Sequence, residues 1–157
     1  MTTFEQYMAN EAAKEKTHSF SCVLIDLPSD LAQRIKSWGQ RNVDAADLFI
    51  PDGRRTGRET EPHITVLYGI HTERSSRIRR ALEGVKPFTI RLGKSSIFKN
   101  ADMDVLKVEV NSPDLFSLNE KLSESLYNTQ THSEYKPHVT LAYLKKEKGD
   151  KYKGDKA

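Results

Sequence analysis

Hydrophobic positions along this chain recur with two spacings, one typical of strands and one typical of helices. At 104–110, apolar residues such as Val108 alternate with polar residues such as Lys107, as in a strand that buries one face. At 114–126, leucines recur every three or four positions, as on the buried side of a helix. The whole pattern predicts strands at about 19–27, 63–69, 88–98, 104–110 and 138–144 and helices at about 30–41, 72–83 and 113–127.

These elements occur twice in the same order. In the first half, VLIDLPSDL at 23–31 and EPHITVLYG at 61–69 enclose a helix and a long loop. In the second half, KVEVNSPDL at 107–115 and KPHVTLAYL at 136–144 enclose a helix and a shorter loop. An internal repeat of this kind predicts two lobes related by approximate two-fold symmetry, with equivalent strands facing one another.

Each repeat ends on a strand that begins Pro-His-x-Thr. Because side chains alternate along a strand, His63 and Thr65 should share one face, and His138 and Thr140 should do the same. Packing of the two lobes would then bring two imidazoles and two hydroxyls into one cleft. A single His-x-Thr carries little information, but two copies in equivalent positions indicate one catalytic centre.

This set of groups suits phosphoryl transfer. A neutral histidine can remove a proton from an attacking hydroxyl or water, and a protonated one can give a proton to the leaving oxygen. Both states are accessible because imidazole titrates near neutral pH. The threonine hydroxyls can donate to the non-bridging phosphate oxygens. The sequence therefore predicts a phosphodiesterase with a bell-shaped pH–rate profile, without a metal or other cofactor.

A zinc site is the competing use of the histidines. His18, His71 and His132 do not join the motif histidines at a familiar ligand spacing, and the sequence has no cysteine cluster. No metal site is therefore predicted. Tyr68 and Tyr143, which follow the two motifs, fall on the core-facing side if the strands alternate strictly, and their predicted role is packing.

Charge separates the C-terminal end from the rest of the chain. Residues 145–157 hold six lysines and three acidic residues, which leaves 19 basic and 19 acidic residues elsewhere. A protein that grips a long nucleic acid usually carries a broad basic face, so a small anionic ligand is favoured. Arg54, Arg55 and Arg58 in the long loop are either phosphate contacts or solvated surface residues.

Length and composition indicate one globular domain. The chain divides into a polar N-terminal segment at 1–18, a domain at 19–144 and a lysine-rich tail at 145–157. The N-terminus does not resemble a signal peptide, and no apolar run is long enough to span a membrane, so a cytoplasmic protein is expected. Cys22 is the single cysteine, which excludes an intrachain disulfide, and it is expected to be a buried strand residue rather than a nucleophile.

The paired motifs resemble those of the two-histidine (2H) phosphoesterases. The matching residues are PHIT at 62–65 and PHVT at 137–140, and the order of elements is similar over about 19–144. This resemblance implies a bilobal, LigT-like α+β fold, with two pseudo-symmetric lobes of antiparallel sheet around a central cleft and helices outside. It also implies that the two histidines share base and acid roles, that the threonines hold the phosphate, and that no metal is required.

Within that superfamily, the sequences around both motifs look most like the phage-encoded anti-CBASS type. Such enzymes open cyclic oligonucleotide alarm signals such as 3′,3′-cGAMP, with a ribose 2′-hydroxyl as the attacking group. Family members hold the bases with aromatic residues outside the motifs, and here Phe98 is the candidate, with core packing as its alternative. Tyr152 could fold over the cleft as part of a lid, or could belong to a disordered tail.

Three functions follow from these observations. The first is a cyclic-oligonucleotide phosphodiesterase acting as a viral counter-defence, with a small cyclic nucleotide as its substrate, and with neither long nucleic acid nor membrane as a partner. The second keeps the chemistry but acts on RNA ends with a 2′,3′-cyclic phosphate, and it predicts a basic channel beside the cleft. The third is a module that sequesters nucleotides, which would not need two His/Thr pairs.

Overall fold

The structure is a computed structural model that describes residues 21–51, 57–129 and 134–154. Its strands are β1 (Ser21–Asp26), β2 (His63–Ile70), β3 (Arg91–Lys99), β4 (Met103–Asn111) and β5 (His138–Lys145). Its helices are α1 (Ser29–Asn42), α2 (Ser75–Ala81) and α3 (Pro113–Ser125). The elements predicted from the hydrophobic pattern are present, with ends that differ by a few residues. Outside the described residues lie the segment 1–18, Arg54, Arg55, His18 and His132.

All five strands form one antiparallel sheet in the order β1-β2-β5-β4-β3. The α+β class is confirmed, but the expectation of two lobes facing each other is wrong for the described residues, which form a single lobe. The reason is that the two motif strands, β2 and β5, pair with each other at Ile64 and Val139. The repeats therefore meet edge to edge and continue one sheet.

The sequence repeat is visible in the arrangement of the elements. β1, α1 and β2 correspond to β4, α3 and β5, and β3 is an additional edge strand. In the sheet order β1-β2-β5-β4, each motif strand has the first strand of its own repeat on its outer side, β1 beside β2 and β4 beside β5. The helix of each repeat packs against the motif strand of the other repeat, α1 against β5 and α3 against β2. An approximate two-fold relation therefore passes between β2 and β5, where the motifs lie.

The two motif strands diverge on both sides of the Ile64–Val139 pair. The next backbone partners along β5 are Phe49, Gly57 and Glu59, in the loop after α1. Those along β2 are Tyr127 and Thr129, in the loop after α3. Gly69 has φ +73°, and a Cβ there would lie 2.4 Å from the Thr129 carbonyl oxygen, so this close approach requires glycine. The loop of each repeat thus fills the gap beside the motif strand of the other.

The core packs against the sheet on the side opposite the motif side chains. Its fully buried members include Ile64, Leu106, Leu115, Leu122 and Val139. At the sheet edge, β1 turns Cys22 outward, so the sequence-based expectation that this cysteine is buried is wrong. An edge strand that is only partly covered leaves every second side chain in contact with solvent, and Cys22 is one of them.

The chain after β5 folds back onto the core as far as Gly154. Tyr152 is 6% exposed, and its hydroxyl donates to Asp47 Oδ2 (2.6 Å) and accepts from Asp44 N (3.0 Å). Its carbonyl accepts from Ser95 Oγ at 2.6 Å. The structure therefore places Tyr152 in the core and not in a lid over the cleft or in a disordered tail, because its ring is buried and its hydroxyl and carbonyl bind other parts of the fold.

Candidate active site

The motif side chains lie side by side in the middle of the sheet. Four side chains are half-buried on the face of the sheet opposite the core: His63, Thr65, His138 and Thr140. His63 and Thr65 flank Ile64, and His138 and Thr140 flank Val139, and Ile64 and Val139 are the partners that join the two motif strands. The two motifs therefore meet at this pair, before the strands separate. The four side chains therefore share one face, as strand alternation predicts, and form one compact group.

Both imidazoles are held in the same way. Nδ1 of His63 lies 2.8 Å from the carbonyl oxygen of Glu61, and Nδ1 of His138 lies 2.7 Å from that of Lys136. A carbonyl oxygen only accepts, so Nδ1 carries the donated proton in both rings. In the neutral ring Nε2 then holds the lone pair and can act as a base, and the protonated ring can act as an acid. The two histidines are thus matched in tautomer and in attachment.

A cavity of about 650 Å³ opens on the motif face of the sheet. Its wall includes Thr65, His138 and Thr140, whereas His63 lies outside the wall, next to Ile64 of the pair that joins the two motif strands. Phe98 on β3 also belongs to the wall and is 44% exposed. Phe98 therefore lines the cavity instead of the core, and its stacking against a base stays a prediction.

A β-bulge follows the threonine of each motif. In β2, Leu24 of β1 pairs with Thr65 and Val23 pairs with Leu67, so Val66 is the extra residue. In β5, Lys107 pairs with Thr140 and Leu106 pairs with Ala142, so Leu141 is the extra residue. A bulge sets two residues against one and shifts the alternation by one position. The two motif strands consequently change face at the same place in each repeat.

The bulges bring Tyr68 and Tyr143 to the motif face. Both line the cavity, and Tyr68 is 55% exposed. The prediction that these tyrosines face the core is wrong, because strict alternation does not hold across a bulge. The signal that could have revealed them is the repeat itself: both strands read His-x-Thr-x-x-Tyr. Burial, and to a smaller extent the Glu59 carboxylate, raises the pKa of the Tyr143 phenol, which therefore stays neutral.

The backbone carbonyls of the two bulged residues accept hydrogen bonds from the opposite repeat. Asn119 of α3 donates through Nδ2 to the Val66 carbonyl at 2.7 Å. The Glu59 amide donates to the Leu141 carbonyl at 2.9 Å. A carbonyl left without a partner in a strand carries a free-energy cost, and each of these bonds removes it. The bulges are thus built into the fold, and they fix the positions of the motif threonines.

Lys107 of β4 is a further polar residue of the cavity wall. It lies directly across from Thr140, and its ammonium donates to Ser96 Oγ at 3.0 Å. Burial lowers the pKa of Lys107, opposed by Glu109 and reinforced by Lys136. The sequence pattern placed Lys107 on the polar face of its strand but gave no sign of its neighbours, because cross-strand register cannot be read from periodicity.

One end of the cavity wall is aromatic. The Tyr135 hydroxyl donates to the Thr65 carbonyl at 3.0 Å, and the Tyr135 ring packs edge-on against Phe116 with the centroids 5.6 Å apart. Burial raises the pKa of Tyr135 to about 12. This ring therefore fixes the chain just before the second motif to the backbone of the first motif, and it is a neutral hydrogen-bond donor at neutral pH.

Arg58 is used elsewhere in the fold. Its guanidinium donates from Nε to the Gly39 carbonyl at 3.2 Å and from Nη2 to the Val43 carbonyl at 2.5 Å. Both carbonyls lie at the C-terminal end of α1, where a cation is favoured by the helix dipole. Arg58, predicted from the sequence as a phosphate contact or a surface residue, therefore binds the end of α1 in this structure. Neither Arg58 nor Tyr152 belongs to the cavity wall.

No group of three or more His, Cys, Asp or Glu residues in the described ranges is placed to hold a metal ion. No helix in them combines the length and the apolar character needed to cross a bilayer.

The comparison with known families agrees with this site. The profile of the 2′-5′ RNA ligase superfamily matches residues 27–152, a range that includes both motifs. The chain belongs to this superfamily of two-histidine phosphoesterases, and the resemblance to that group is confirmed. Membership suggests phosphodiesterase activity and leaves the substrate and the anti-CBASS subgroup unspecified. A search of curated proteins found no match to the chain.

Proposed function

We propose that the protein is a phosphodiesterase in which His63 and His138 exchange protons with one phosphodiester, and that its substrate is a cyclic dinucleotide or oligonucleotide such as 3′,3′-cGAMP. The observation that carries the chemistry is the matched pair of hydrogen bonds from Nδ1 to a backbone carbonyl. These bonds give both rings the same tautomer, with Nε2 as the nitrogen that exchanges the proton. Family membership supports the same class of reaction.

Cleavage of a 3′–5′ bond beside a ribose 2′-hydroxyl requires one base and one acid. The neutral imidazole removes the 2′-hydroxyl proton while O2′ forms a bond to phosphorus. The bond between phosphorus and the 5′-oxygen breaks, and that oxygen takes a proton from the imidazolium of the other histidine. The product is a linear strand with a 2′,3′-cyclic phosphate and a free 5′-hydroxyl. Water can then open the cyclic phosphate with the two histidines in exchanged roles. The imidazole that gave its proton to the 5′-oxygen removes a proton from the water, and the other histidine returns a proton to the 2′-oxygen.

The arrangement of the tyrosines supports a substrate with a base on each side of the reacting phosphate. Tyr68 and Tyr143 each lie three residues beyond a motif threonine, or about 10 Å along their strands. Because β2 and β5 are antiparallel, the tyrosines lie in opposite directions from the His/Thr group. A cyclic dinucleotide can direct one base toward each ring. With such a substrate, the protein would remove a cyclic-nucleotide alarm signal, as a counter-defence protein does.

The proposal is tested by incubating the purified protein with 3′,3′-cGAMP in excess EDTA. Chromatography with mass spectrometry should show a linear product, and the His63→Ala and His138→Ala variants should not form it. Intact 3′,3′-cGAMP together with cleavage of 2′,3′-cyclic phosphate ends would replace the substrate but keep the reaction. Intact substrates of every phosphodiester class, recovered after long incubation, would favour a module that sequesters nucleotides.

A second candidate substrate is an RNA end that carries a 2′,3′-cyclic phosphate. The observation that favours it is a basic cavity of about 470 Å³ between α2 and α3. Its wall includes Arg77, Arg80 and Lys121 and no acidic residue. The imidazole of His71 in this wall lies 2.6 Å from Thr129 Oγ1 in the wall of the active-site cavity, so the two cavities are neighbours. An RNA strand could place an upstream phosphate there.

If the substrate is an RNA end, the arginines of α2 should contribute to the binding of an oligonucleotide but not to that of a mononucleotide. The Arg77→Ala/Arg80→Ala variant should bind a 2′,3′-cyclic-phosphate oligoribonucleotide about 10-fold or more weakly, with a smaller dependence on salt, because two phosphate contacts are lost. Binding of the mononucleotide 2′,3′-cyclic phosphate should not change. The matched control is Arg79→Ala on the same helix. Equal binding of the oligonucleotide by both variants would remove this candidate.

The tyrosine pair predicts a base-dependent effect on affinity. Tyr68→Ala and Tyr143→Ala should each raise KM for the nucleotide substrate by about 5–100-fold, because one stacked base is lost in each variant. The rate with methyl p-nitrophenyl phosphate, which has no base, should change little. Tyr68→Phe and Tyr143→Phe keep the rings and should behave like the wild type. A similar loss with both substrates would show that the tyrosines do not act through the bases.

A further inference from the structure

We propose that Lys107 is a further catalytic residue, whose ammonium binds a non-bridging oxygen of the phosphate at the His/Thr centre. The effect on rate rests on the phosphodiesterase function proposed above. The binding of phosphate can be tested without it.

The position of Lys107 follows from the register of the sheet. Ser96 of β3, Lys107 of β4 and Thr140 of β5 lie directly across from one another. These three neighbouring strands therefore carry a hydroxyl, an ammonium and a second hydroxyl in one row, with Cβ atoms of neighbours about 5 Å apart. The other motif strand, β2, joins β5 next to this row, at Ile64 and Val139. Lys107 shares the cavity wall with Thr140.

The ammonium is held in place by the adjacent strand. Nζ of Lys107 donates to Ser96 Oγ at 3.0 Å, and the side chain is half-buried over the sheet. An ammonium has three donors, and the Ser96 hydroxyl uses one of them. In the part of the chain that the structure describes, no carboxylate forms an ion pair with Lys107. Donors thus remain for a ligand in the cavity.

The electrostatic setting favours an anion beside this lysine. Burial removes water from the ammonium and lowers the pKa of Lys107. Glu109 on the same strand opposes this shift, while Lys136 at the cavity wall increases it. A half-buried cation without a paired carboxylate carries a desolvation cost. A phosphate oxygen in the cavity would supply the missing counter-charge and recover part of that cost.

The expected chemical effect is on the charge of the phosphate during transfer. Negative charge builds up on the non-bridging oxygens as O2′ bonds to phosphorus, and a fixed cation stabilises it more than it stabilises the ground state. The motif threonines supply neutral donors, whereas Lys107 supplies a full positive charge. Loss of one such electrostatic contact typically lowers kcat by about 10²–10³-fold.

The test compares Lys107→Met with Lys94→Met, which removes the same charge from an exposed position of β3 outside the cavity wall. Methionine keeps most of the stem, so folding should be preserved. Lys107→Met should lower kcat by about 10²–10³-fold and weaken binding of inorganic phosphate, followed by ³¹P NMR, by about 10-fold or more. Lys94→Met should match the wild type in both measurements.

Chemical rescue separates a role of the charge from a role in packing. In a Cys22→Ser background, which removes the exposed native thiol, Lys107→Cys should be almost inactive. Alkylation with 2-bromoethylamine restores an ammonium at nearly the same distance and should recover at least about a tenth of the lost rate. Failure of alkylation to restore phosphate binding, or equal phosphate binding by Lys107→Met and Lys94→Met, would overturn the proposal. A wild type that binds phosphate through Lys107 but cleaves no phosphodiester would overturn the proposed function instead.

Discussion

The His63→Ala and His138→Ala variants should each turn over substrate about 10²–10⁴-fold more slowly than the wild type, because each variant loses one of the two proton transfers. Substrate affinity should change little, since the aromatic residues of the cavity wall remain in place. Folding should also be preserved, because both rings are half-buried on the face opposite the core. The measurement is kcat at saturating substrate, with thermal unfolding of each variant as the control for folding.

The pairing of His63 with His138 also predicts how much activity the double variant should lose. A base and an acid that act on the same phosphate are coupled, so the double variant should lose little more activity than the more damaged single variant. The wild-type kcat/KM should depend on pH with a bell shape, and each single variant should lose one side of the bell. Retention of more than about a tenth of the wild-type kcat by either single variant would contradict paired acid–base catalysis.

The secondary structure was predictable because local periodicity reports which side chains the core will cover. In β4, Leu106, Val108 and Val110 are buried, and the residues between them face the other side. In α3, Leu115, Leu118 and Leu122 form the buried stripe that their spacing indicated. The two motif strands were predictable for the same reason, since Ile64 and Val139 alternate with the motif residues.

The tertiary arrangement was not predictable from the same signals. The repeat showed that two halves are equivalent, but equivalence is satisfied both by two stacked sheets and by one continuous sheet. What selects the single sheet is the backbone pairing of Ile64 with Val139. Backbone hydrogen bonds depend little on side-chain identity, so this pairing leaves no distinct mark in the sequence.

Residues whose roles depend on distant partners were missed for a related reason. Arg58 looked available for phosphate because its partners, the carbonyls of Gly39 and Val43, are backbone groups of a distant helix end. Tyr152 looked like a tail residue because its partner Asp47 is 105 positions away. Neither contact has a local pattern, whereas the motif residues repeat and therefore stood out.

The active site combines both kinds of information. Its proposed proton-transfer groups are encoded locally, as His-x-Thr in a strand, and could be found from one sequence. Its proposed ligand contacts, Tyr68, Tyr143 and Lys107, depend on bulges and on cross-strand register. The proposed chemistry could therefore be read from the sequence more readily than the proposed substrate contacts, because the former lies in a short motif and the latter depend on the assembled sheet.

The Thr65→Val and Thr140→Val variants should each lower kcat by about 10²–10³-fold, because each loses one hydroxyl donor to the non-bridging phosphate oxygens. Valine has nearly the same shape as threonine and favours strands, so the sheet and the flanking bulges should persist. The measurement is kcat and KM with the substrate that the wild type cleaves, with thermal unfolding as the control for folding.

Serine is the matched control for both positions. Thr65→Ser and Thr140→Ser keep the hydroxyl and should stay within about 10-fold of the wild type, since only the methyl group is lost. A purely structural role of the threonines would reverse this order, because serine would loosen the strand while valine would not. The two sites lie in equivalent positions, each one residue beyond the Ile64–Val139 pair that joins the two motif strands. Similar losses in both valine variants would therefore support one phosphate held between the two repeats, and a loss confined to one of them would show that the phosphate binds to a single motif.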